Sequence, residues 1–279
     1  MDRGLLAHLE PQVGPASAQS LVGVLRELDS GARDALGDEV VSIHLVGSFA
    51  TGDADEHSDV DVVVVTRTAP TPAAEAALTT LHAHLPDLGS SWAGRLEGSY
   101  APVADLANPT TVGRRWLHVD DGSRVLERSA HDNTAHTRWV LRERALTVSG
   151  TPAHDLLPRV SRGMLFAEAV GEARQHAAMV EDDPASLADV RARTQVILGM
   201  CRLLHTAREG TVVGQRTAAR WTLGLLPEQW HDLVLAALAH RADPRGHHSG
   251  DGDGDGDPEP ARRTRAFVWD VLALVSASR

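Results

Sequence analysis

A nearly pure run of valine over residues 60–65 is the feature that most constrains the fold of this chain. β-Branched side chains favour extended backbone, and a continuous apolar run of this length is typical of a strand covered on both faces. A second apolar, β-branched run over residues 40–46 ends in Gly47-Ser48. The two runs therefore predict two buried strands, with a tight turn after the first and Asp61 inside the second.

Mixed elements surround these two strands in the first half of the chain. Residues 17–36 carry an amphipathic helical stripe, residues 70–85 carry another, and residues 95–103 have the pattern of a third strand. This half therefore has the alternating α and β character of an α+β domain, which we expect to be a mixed-sheet domain spanning residues 1–155.

After residue 150 the pattern becomes helical throughout, with caps and breakers between the segments. The helical segments are 161–181, 186–209, 214–225, 227–241 and 261–277. We therefore expect an α-helical bundle over residues 156–279. The Gly-Asp tract at 247–260 has no apolar residue to bury and is expected to form a flexible loop within the bundle.

The charge balance favours a cationic partner over nucleic acid. The 279 residues include 27 basic and 38 acidic side chains, which gives a net charge of −11, and part of the acidic excess lies in the Gly-Asp tract. A protein that neutralises nucleic-acid phosphates needs a basic excess on some surface. The longest basic cluster here is only Arg262, Arg263 and Arg265. We expect no nucleic-acid partner, whereas a cationic small molecule is electrostatically favoured.

The composition also bears on where the protein is located in the cell and on which side chains can act in a site. No apolar run approaches the roughly 20 residues that a membrane span needs, and the N-terminal segment lacks the pattern of a signal peptide. The single cysteine, Cys201, offers neither an internal disulfide nor a zinc cluster. We expect a cytoplasmic monomer with no membrane partner. Because the chain contains no lysine, any cationic contact must come from arginine.

The stretch from Gly47 to Asp61 indicates a site for phosphate and metal. In the Gly47-Ser48 turn, glycine lets backbone N–H groups approach phosphate oxygens closely, and the serine adds a hydroxyl. Nine residues later, Ser58-Asp59-Val60-Asp61 enters the valine strand. Side chains alternate along a strand, so Asp59 and Asp61 are expected on one face, where their repulsion favours a divalent cation. Carboxylate oxygens suit Mg²⁺ bound together with substrate phosphates.

This Gly-Ser-x9-Ser-Asp-x-Asp arrangement resembles the signature of the polymerase-β-type nucleotidyltransferase superfamily. The resemblance implies a third carboxylate on a later strand. Glu97, in Leu96-Glu97-Gly98-Ser99-Tyr100, is well placed to supply it. In such an enzyme this carboxylate accepts the proton of the attacking hydroxyl, so Glu97 is the expected general base.

The second half of the chain resembles one branch of that superfamily. Residues 197–210, 214–221 and 226–230 are similar to the C-terminal helical domain of the aminoglycoside adenylyltransferases that modify streptomycin and spectinomycin. Residues 139–150 are similar to the piece that joins the two domains of those enzymes. The resemblance covers roughly residues 40–235. It implies ATP as co-substrate, Mg²⁺ as cofactor and a cationic drug as acceptor.

The same resemblance implies roles for individual residues of the N-terminal domain: ATP contacts from Ser48 and Ser58, magnesium ligation by Asp59 and Asp61, and proton acceptance by Glu97. The family places a lysine for the ATP phosphates at the position of Gln215, and here the neighbouring Arg216 is the expected substitute. Arginine can bind phosphate through two donors, although one step along a helix turns a side chain by about 100°. This departure leaves a different nucleotide preference open.

A polycationic acceptor requires carboxylates and aromatic surface. The candidates are Trp116, Asp182, Asp183 and Asp189. Asp189 lies close to the position of a drug-binding aspartate of the family. An i,i+4 pair with Arg193 is the alternative interpretation of this residue.

Three functions remain open from the sequence. The first is transfer of AMP from ATP to a hydroxyl of an aminoglycoside or aminocyclitol, with release of pyrophosphate, which would confer antibiotic resistance. The second is the same chemistry on another hydroxyl, such as that of a nucleoside, a natural-product sugar or a protein side chain. The third is a non-catalytic relative that only binds nucleotide. The missing lysine suggests the third function, and the three retained carboxylates oppose it.

Overall fold

The valine run forms an interior strand of a six-stranded sheet in the computed structural model, which describes residues 2–243 and 258–278. The strands β1 to β6, in chain order, are Val40–Leu45, Val60–Thr66, Leu96–Pro102, Trp116–Val119, Leu126–Ser129 and Leu146–Gly150. Their order in the sheet is β5-β4-β3-β2-β1-β6. Strands β2 and β3 are parallel, and the other neighbouring pairs are antiparallel. The predicted mixed sheet is therefore confirmed.

The two faces of this sheet differ in character. Alternate valines of β2 contribute to a hydrophobic core that also contains Leu96 and Tyr100 of β3. Asp61 and Glu97 alternate with these core residues, so they point to the opposite face. All residues of β2 except Asp61 are buried, as expected for an interior strand covered on both sides. The sheet therefore presents its carboxylates on the face away from the larger core.

Helices complete the first of the two units into which the chain divides, Met1–Val160 and Ser161–Arg279. The helices of the first unit, α1 to α7, are Asp2–Val13, Pro15–Leu36, Gly47–Thr51, Pro72–His84, Val103–Ala107, Ala135–Glu143 and Ala153–Leu156. Helix α2 packs on α1, α4 and β1. The predicted stripe of α2 (Leu21, Val22, Leu25, Leu28 and Ala32) is buried in the core.

Three strands were not predicted from the sequence. Strands β4, β5 and β6 have only four or five residues each, and β5 (Leu-Glu-Arg-Ser) is largely polar. Residues 139–150, interpreted above as a piece joining two domains, instead form the end of α6 and the strand β6, which pairs with β1 inside the first unit. Such short segments lack a readable apolar alternation, and pairing with longer neighbours holds them in the sheet.

The second unit is helical wherever the structure describes regular elements in it. Its longer helices, α8 to α12, are Arg162–Asp182, Val190–Glu209, Gln215–Thr222, His231–Ala242 and Pro258–Ser276. Helix α9 ends at Gly210, whose φ of 66° lies in the left-handed region, as expected for a glycine cap. Leu198, Cys201 and Leu204 are fully buried along α9. The predicted helical bundle is therefore confirmed.

The predicted flexible loop at 247–260 lies mostly outside the described residues. Its last three residues, 258–260, are described, and they form the first turn of α12 rather than a loop. Within the part of the chain that the structure describes, no helix combines the length and the apolar character needed to cross a membrane.

Candidate active site

The Gly47 turn lies directly against the carboxylate of Asp61. The backbone N–H of Val46 donates to the carbonyl oxygen of Asp61 over 2.8 Å, which fixes the end of β1 to the start of β2. Gly47 follows with a φ of +58°, a conformation that favours glycine. A Cβ at this position would lie 1.9 Å from Oδ2 of Asp61. Glycine is therefore required both by the turn and by the close approach to the carboxylate.

The two serines of the motif have different surroundings. Ser48 is half-buried in the short helix α3, and its carbonyl oxygen accepts from the N–H of Asp53 over 3.0 Å. Ser58 is buried, and its Oγ accepts a hydrogen bond of 3.0 Å from the N–H of Asp55. The Ser58 hydroxyl thus closes the loop before β2 and retains its own hydrogen for a further acceptor.

The structure brings the carboxylates of the motif to one edge of the sheet. Asp59 is exposed immediately before β2, and Asp61 is the half-buried second residue of that strand. In the parallel pairing of β2 with β3, Asp61 is the register partner of Glu97. Adjacent strands lie about 4.8 Å apart, so these two side chains emerge next to each other on the same face. Asp59 and Asp61 therefore offer only oxygen donors, a set that could hold Mg²⁺.

Glu97 is the most perturbed carboxylate of this group. Its residue surface is only 9% exposed, and its pKa is raised from 4.5 to about 8. Burial is the largest cause, followed by the negative charges of Asp61 and Asp132, while His118 acts in the opposite direction. A buried carboxylate with a raised pKa is a strong proton acceptor once it is ionised.

Two histidines that the sequence analysis missed lie beside Glu97. Oε1 of Glu97 is 3.2 Å from Nε2 of His131 and 4.0 Å from Nε2 of His118. On the other side of the His118 ring, Nδ1 is 3.3 Å from Oδ2 of Asp132, which also accepts a 2.7 Å hydrogen bond from Ser99. Burial lowers the pKa of His118, but the hydrogen bond and the charge of Asp132 outweigh it, so the pKa is raised overall.

Hydrogen bonds from the buried side chains of Asn133 and Arg138 hold the loop that carries His131 and Asp132. The Asn133 amide donates to the carbonyl oxygens of Thr111 and Arg114, each over 2.8 Å. The guanidinium of Arg138, which is 3% exposed, donates to Oδ1 of Asn133 through both Nε and Nη2. These contacts hold the loop against residues 111–114, just before β4, and thereby place His131 and Asp132.

A further residue that the sequence analysis missed, Arg95, holds the loop before β2. Its Nη1 donates to the carbonyl oxygens of Glu56 (2.6 Å) and Ser58 (3.2 Å), and its guanidinium lies 4.3 Å from the ring centre of Trp92. On the opposite side of the loop, Oε1 of Gln12 accepts from the N–H of Ala54 over 3.1 Å. Arg95 therefore positions Asp59 through the backbone, although it contacts no carboxylate of the motif by these bonds.

The predicted aromatic acceptor contact, Trp116, is not brought together with the carboxylates. Trp116 is 2% exposed, and its indole N–H donates to Asp105 over 3.0 Å. It lines a cavity of about 330 Å³ with Asp105 and the end of β3. Because Leu117 pairs with Tyr100, Trp116 lies about four residues, or roughly 13 Å, along the sheet from Glu97. A core position accounts for this residue.

The remaining predicted residues belong to the second unit. Arg216 and Gln215 begin α10, both half-buried, and Oε1 of Gln215 accepts a 3.1 Å hydrogen bond from Arg241. Asp182 is exposed at the end of α8. Asp189 caps the N-terminus of α9, where Oδ2 accepts from the N–H of Ala192 over 2.9 Å. The Asp189 carboxylate therefore already has a role in capping the helix, whether or not it also binds an acceptor substrate.

We expect Gly47→Ala to destabilise the protein more than Gly52→Ala. Both glycines have left-handed φ, at +58° and +74°, but a Cβ at Gly52 would meet no atom within 4 Å. Gly52→Ala should therefore cost only the backbone strain, roughly 1–2 kcal/mol. At Gly47 the carboxylate of Asp61 must also move, which should add about 1 kcal/mol or more. Urea unfolding of both variants measures the difference, and equal losses would show that Gly47 does not press on Asp61.

We also expect Glu97→Gln to stabilise the metal-free protein increasingly between pH 4.5 and about 8. In this window the unfolded chain has released the proton that folded Glu97 still holds, because its pKa is raised from 4.5 to about 8. The contribution of Glu97 to stability is thus full below pH 4.5 and is lost as the pH rises through about 8. Glutamine does not titrate, so it escapes this loss.

The measurement is the thermal unfolding midpoint of both proteins in EDTA across this pH range. Glu127→Gln, at an exposed carboxylate of β5, controls for the loss of one negative charge. A difference between Glu97→Gln and wild type that stays constant with pH would contradict the raised pKa.

Comparisons with known proteins agree with this architecture. The family model described as "Nucleotidyltransferase domain" matches residues 25–83, and the one described as "Aminoglycoside adenylyltransferase, C-terminal domain" matches residues 165–252. No curated protein matches the sequence. Among solved structures, the chain is similar to spectinomycin adenyltransferase AAD(9) from Enterococcus faecialis, determined with ATP and spectinomycin. The TM-score is 0.65 at 12% identity, with 88% of this chain and 98% of that chain covered.

The fold, the order of the two matched domains and the carboxylates at the edge of the sheet agree with one another. The chain therefore combines a nucleotidyltransferase domain with a C-terminal domain of the aminoglycoside adenylyltransferase type.

Proposed function

We propose that this protein transfers AMP from ATP to a hydroxyl group of an aminocyclitol antibiotic of the streptomycin or spectinomycin type, with release of pyrophosphate. The observation that carries the proposal is the parallel register of β2 with β3, which sets Asp61 beside Glu97 on one face of the sheet. The Gly47 turn against Asp61 adds a backbone able to approach phosphate oxygens. Use of ATP leads us to propose a cytoplasmic location.

The proposed reaction is a single displacement at phosphorus. The acceptor oxygen forms a bond to the α-phosphorus of ATP while the bond between that phosphorus and the pyrophosphate oxygen breaks. The hydroxyl proton passes to the carboxylate of Glu97. Asp59 and Asp61 would hold Mg²⁺, which neutralises triphosphate charge when it is bound.

The surroundings of Glu97 suit the role of a general base. Its burial and the nearby charge of Asp61 raise its pKa, which strengthens its affinity for the proton of a hydroxyl. The imidazole of His118 faces Glu97 and is held by Asp132, so it helps to fix the position of the carboxylate. The base is thereby oriented by groups on β4 and on the loop after β5.

Other residues are proposed to bind the nucleotide. Backbone N–H groups at Gly47 and Ser48 and the hydroxyl of Ser58 are the proposed phosphate contacts of the first unit. Arg216 is the proposed phosphate contact of the second unit. Gln215, at the position of the family lysine, is already hydrogen-bonded to Arg241. This bond favours Arg216 over Gln215 as the residue that replaces the lysine.

The acceptor is proposed to be cationic because the chain is strongly acidic, with a net charge of −11. Exposed carboxylates of the second unit at Asp182, Asp183 and Asp189 are the proposed contacts for its ammonium or guanidinium groups. Trp116 is left out of the acceptor site because it is buried. The structure of AAD(9) with ATP and spectinomycin supports an aminocyclitol acceptor for this fold.

The direct test uses ATP labelled at the α-phosphate and a panel of aminocyclitols, aminoglycosides and nucleosides. We expect the label on an aminocyclitol, with one pyrophosphate released per transfer. Glu97→Gln should lose roughly 10²–10⁴-fold in rate while retaining nucleotide binding. Asp61→Asn should lose turnover with the fold intact.

The outcomes of this test are distinct. Label on a nucleoside or another hydroxyl compound, but on no aminocyclitol, would favour the same chemistry on a different acceptor. No transfer and no pyrophosphate with any acceptor would favour a non-catalytic nucleotide-binding protein. Turnover of Asp61→Asn within a few-fold of wild type would rule out its role as a metal ligand.

Replacement of Arg216 tests the proposed phosphate contact. We expect Arg216→Ala to raise KM for ATP with little change in acceptor affinity measured without nucleotide, because only the triphosphate loses a cationic partner. Arg220→Ala is the matched control, since Arg220 is exposed on the same helix. Steady-state kinetics with varied ATP gives the answer, and equal KM values for the two variants would place the contact elsewhere.

A further inference from the structure

Nitrogen and oxygen donors converge on Glu97 from three separate parts of the first unit. Glu97, His118 and Asp120 each present one potential ligand atom within 4.8 Å of the others, and Glu97, His131 and Asp132 do the same. Glu97 lies on β3. His118 lies on β4, and Asp120 directly follows that strand. His131 and Asp132 lie in the loop after β5. We call these five residues the histidine–carboxylate cluster.

The His118 ring is oriented as a metal-binding imidazole usually is. Its Nδ1 is engaged by Oδ2 of Asp132 at 3.3 Å and by Oγ of Ser99 at 3.1 Å. The opposite nitrogen, Nε2, is the one that faces Glu97. In metal sites a carboxylate beyond the ligands commonly holds the far nitrogen of a histidine in this way, which fixes the tautomer and aims the free lone pair.

The distances from Glu97 to the two imidazoles are close to those between the ligands of a small tetrahedral ion. Nε2 of His131 and Nε2 of His118 lie 3.2 and 4.0 Å from the same oxygen, Oε1 of Glu97. Bonds of about 2.1 Å at tetrahedral angles separate ligand atoms by about 3.4 Å. The His131 side chain is 67% exposed and Asp120 is exposed, so an ion has a route in and two of its ligands have room to adjust.

The chemistry of the donors differs from that of the Asp59 and Asp61 pair. Two imidazole nitrogens together with carboxylate oxygens suit Zn²⁺ and similar ions, whereas an all-oxygen set suits Mg²⁺. Three carboxylates in the cluster, Glu97, Asp120 and Asp132, also repel one another, and a divalent cation relieves that repulsion. The cluster should therefore prefer Zn²⁺, whereas the proposed ligands Asp59 and Asp61 should prefer Mg²⁺.

We propose that the histidine–carboxylate cluster is a second metal site, selective for Zn²⁺-type ions. Glu97, His118 and Asp120 are the ligands that the fold already groups, the exposed His131 moves to join them, and Asp132 orients His118. Occupation of the site engages the carboxylate of Glu97. If Glu97 is the base of the proposed transferase, a consequence that rests on the proposed function, the bound ion inhibits turnover by occupying the lone pair that would accept the proton.

The binding test uses the full-length, tag-free protein and titration calorimetry with Zn²⁺ in the presence of excess Mg²⁺, which occupies the all-oxygen site. Wild type should bind one Zn²⁺ tightly. His131→Gln and His118→Gln should each lose at least tenfold in affinity, and Asp132→Asn should lose roughly 10–100-fold. His131 is exposed, so its replacement leaves the fold intact even if the replacement of buried His118 does not.

Two matched controls complete the design. His154→Gln removes an exposed histidine 3.4 Å from a carboxylate elsewhere in the same unit, and it should leave Zn²⁺ binding unchanged. Asp61→Asn removes a proposed magnesium ligand and should also retain the Zn²⁺ site. Tight binding that survives in both His131→Gln and His118→Gln, or that is lost in Asp61→Asn while it survives in His131→Gln, would overturn the proposed site.

The consequence for turnover is tested separately by transfer assays at rising Zn²⁺ with Mg²⁺ held in excess. We expect inhibition of wild type with the midpoint at the Kd from calorimetry. Zn²⁺ that binds but leaves the rate unchanged would overturn the inhibitory role. Absence of transfer activity without Zn²⁺ would count against the proposed function, while the calorimetric result would decide the site by itself.

Discussion

The parallel pairing of β2 with β3 is the interaction on which the candidate site depends. It sets Asp61 and Glu97 in register on one face of the sheet, while the valines that alternate with Asp61 are buried in the core. The Gly47 turn is tied to the same point, since Val46 donates to the carbonyl oxygen of Asp61. A shift of this pairing by one residue would turn the carboxylates into the core, so burial of the valines fixes the geometry of the site.

The same arrangement creates an electrostatic cost that explains the surroundings of the site. Glu97 is buried near three other acids, Asp61, Asp120 and Asp132, and its pKa is raised to about 8. Such a group destabilises the folded chain when it ionises, and cations or hydrogen-bond donors offset the cost. The imidazoles of His118 and His131 are adjacent to Glu97 and can supply such donors. The burial that raises the pKa of Glu97 therefore also makes its ionisation costly to the folded chain.

The elements predicted from the sequence were those with a long local pattern. The valine strand, the stripe of α2 and the helices of the second unit each follow from a periodicity that a single segment displays. Gly47 and Asp61 were found because a spaced motif marks them, and Glu97 because the family resemblance implies a carboxylate on a later strand. The use of all three in the site stays a prediction. Strands β4 to β6 are too short to show a pattern. Their positions depend on pairing of β4 with β3, of β5 with β4 and of β6 with β1.

The missed site residues are separated in the sequence and meet only through the sheet. His118 and His131 approach Glu97 because β4 pairs with β3 and β5 with β4, a topology that no local spacing encodes. Arg95 escaped attention because it acts through backbone carbonyl groups of the loop before β2. Trp116 was a candidate because a cationic acceptor needs aromatic surface; the structure places it as a buried neighbour of Asp105, and sequence alone could not reveal this burial.

The central claim is that the edge of β2 and β3 is a metal-dependent nucleotide site. The most direct measurement is an anomalous-scattering crystal structure with Mn²⁺, as a substitute for Mg²⁺, and an ATP analogue that resists cleavage between the α- and β-phosphates. The account predicts a Mn²⁺ peak at the carboxylates of Asp59 and Asp61, with the α-phosphate on the side of Glu97. A well-ordered nucleotide bound elsewhere, with no Mn²⁺ peak at Asp59 and Asp61, would contradict it.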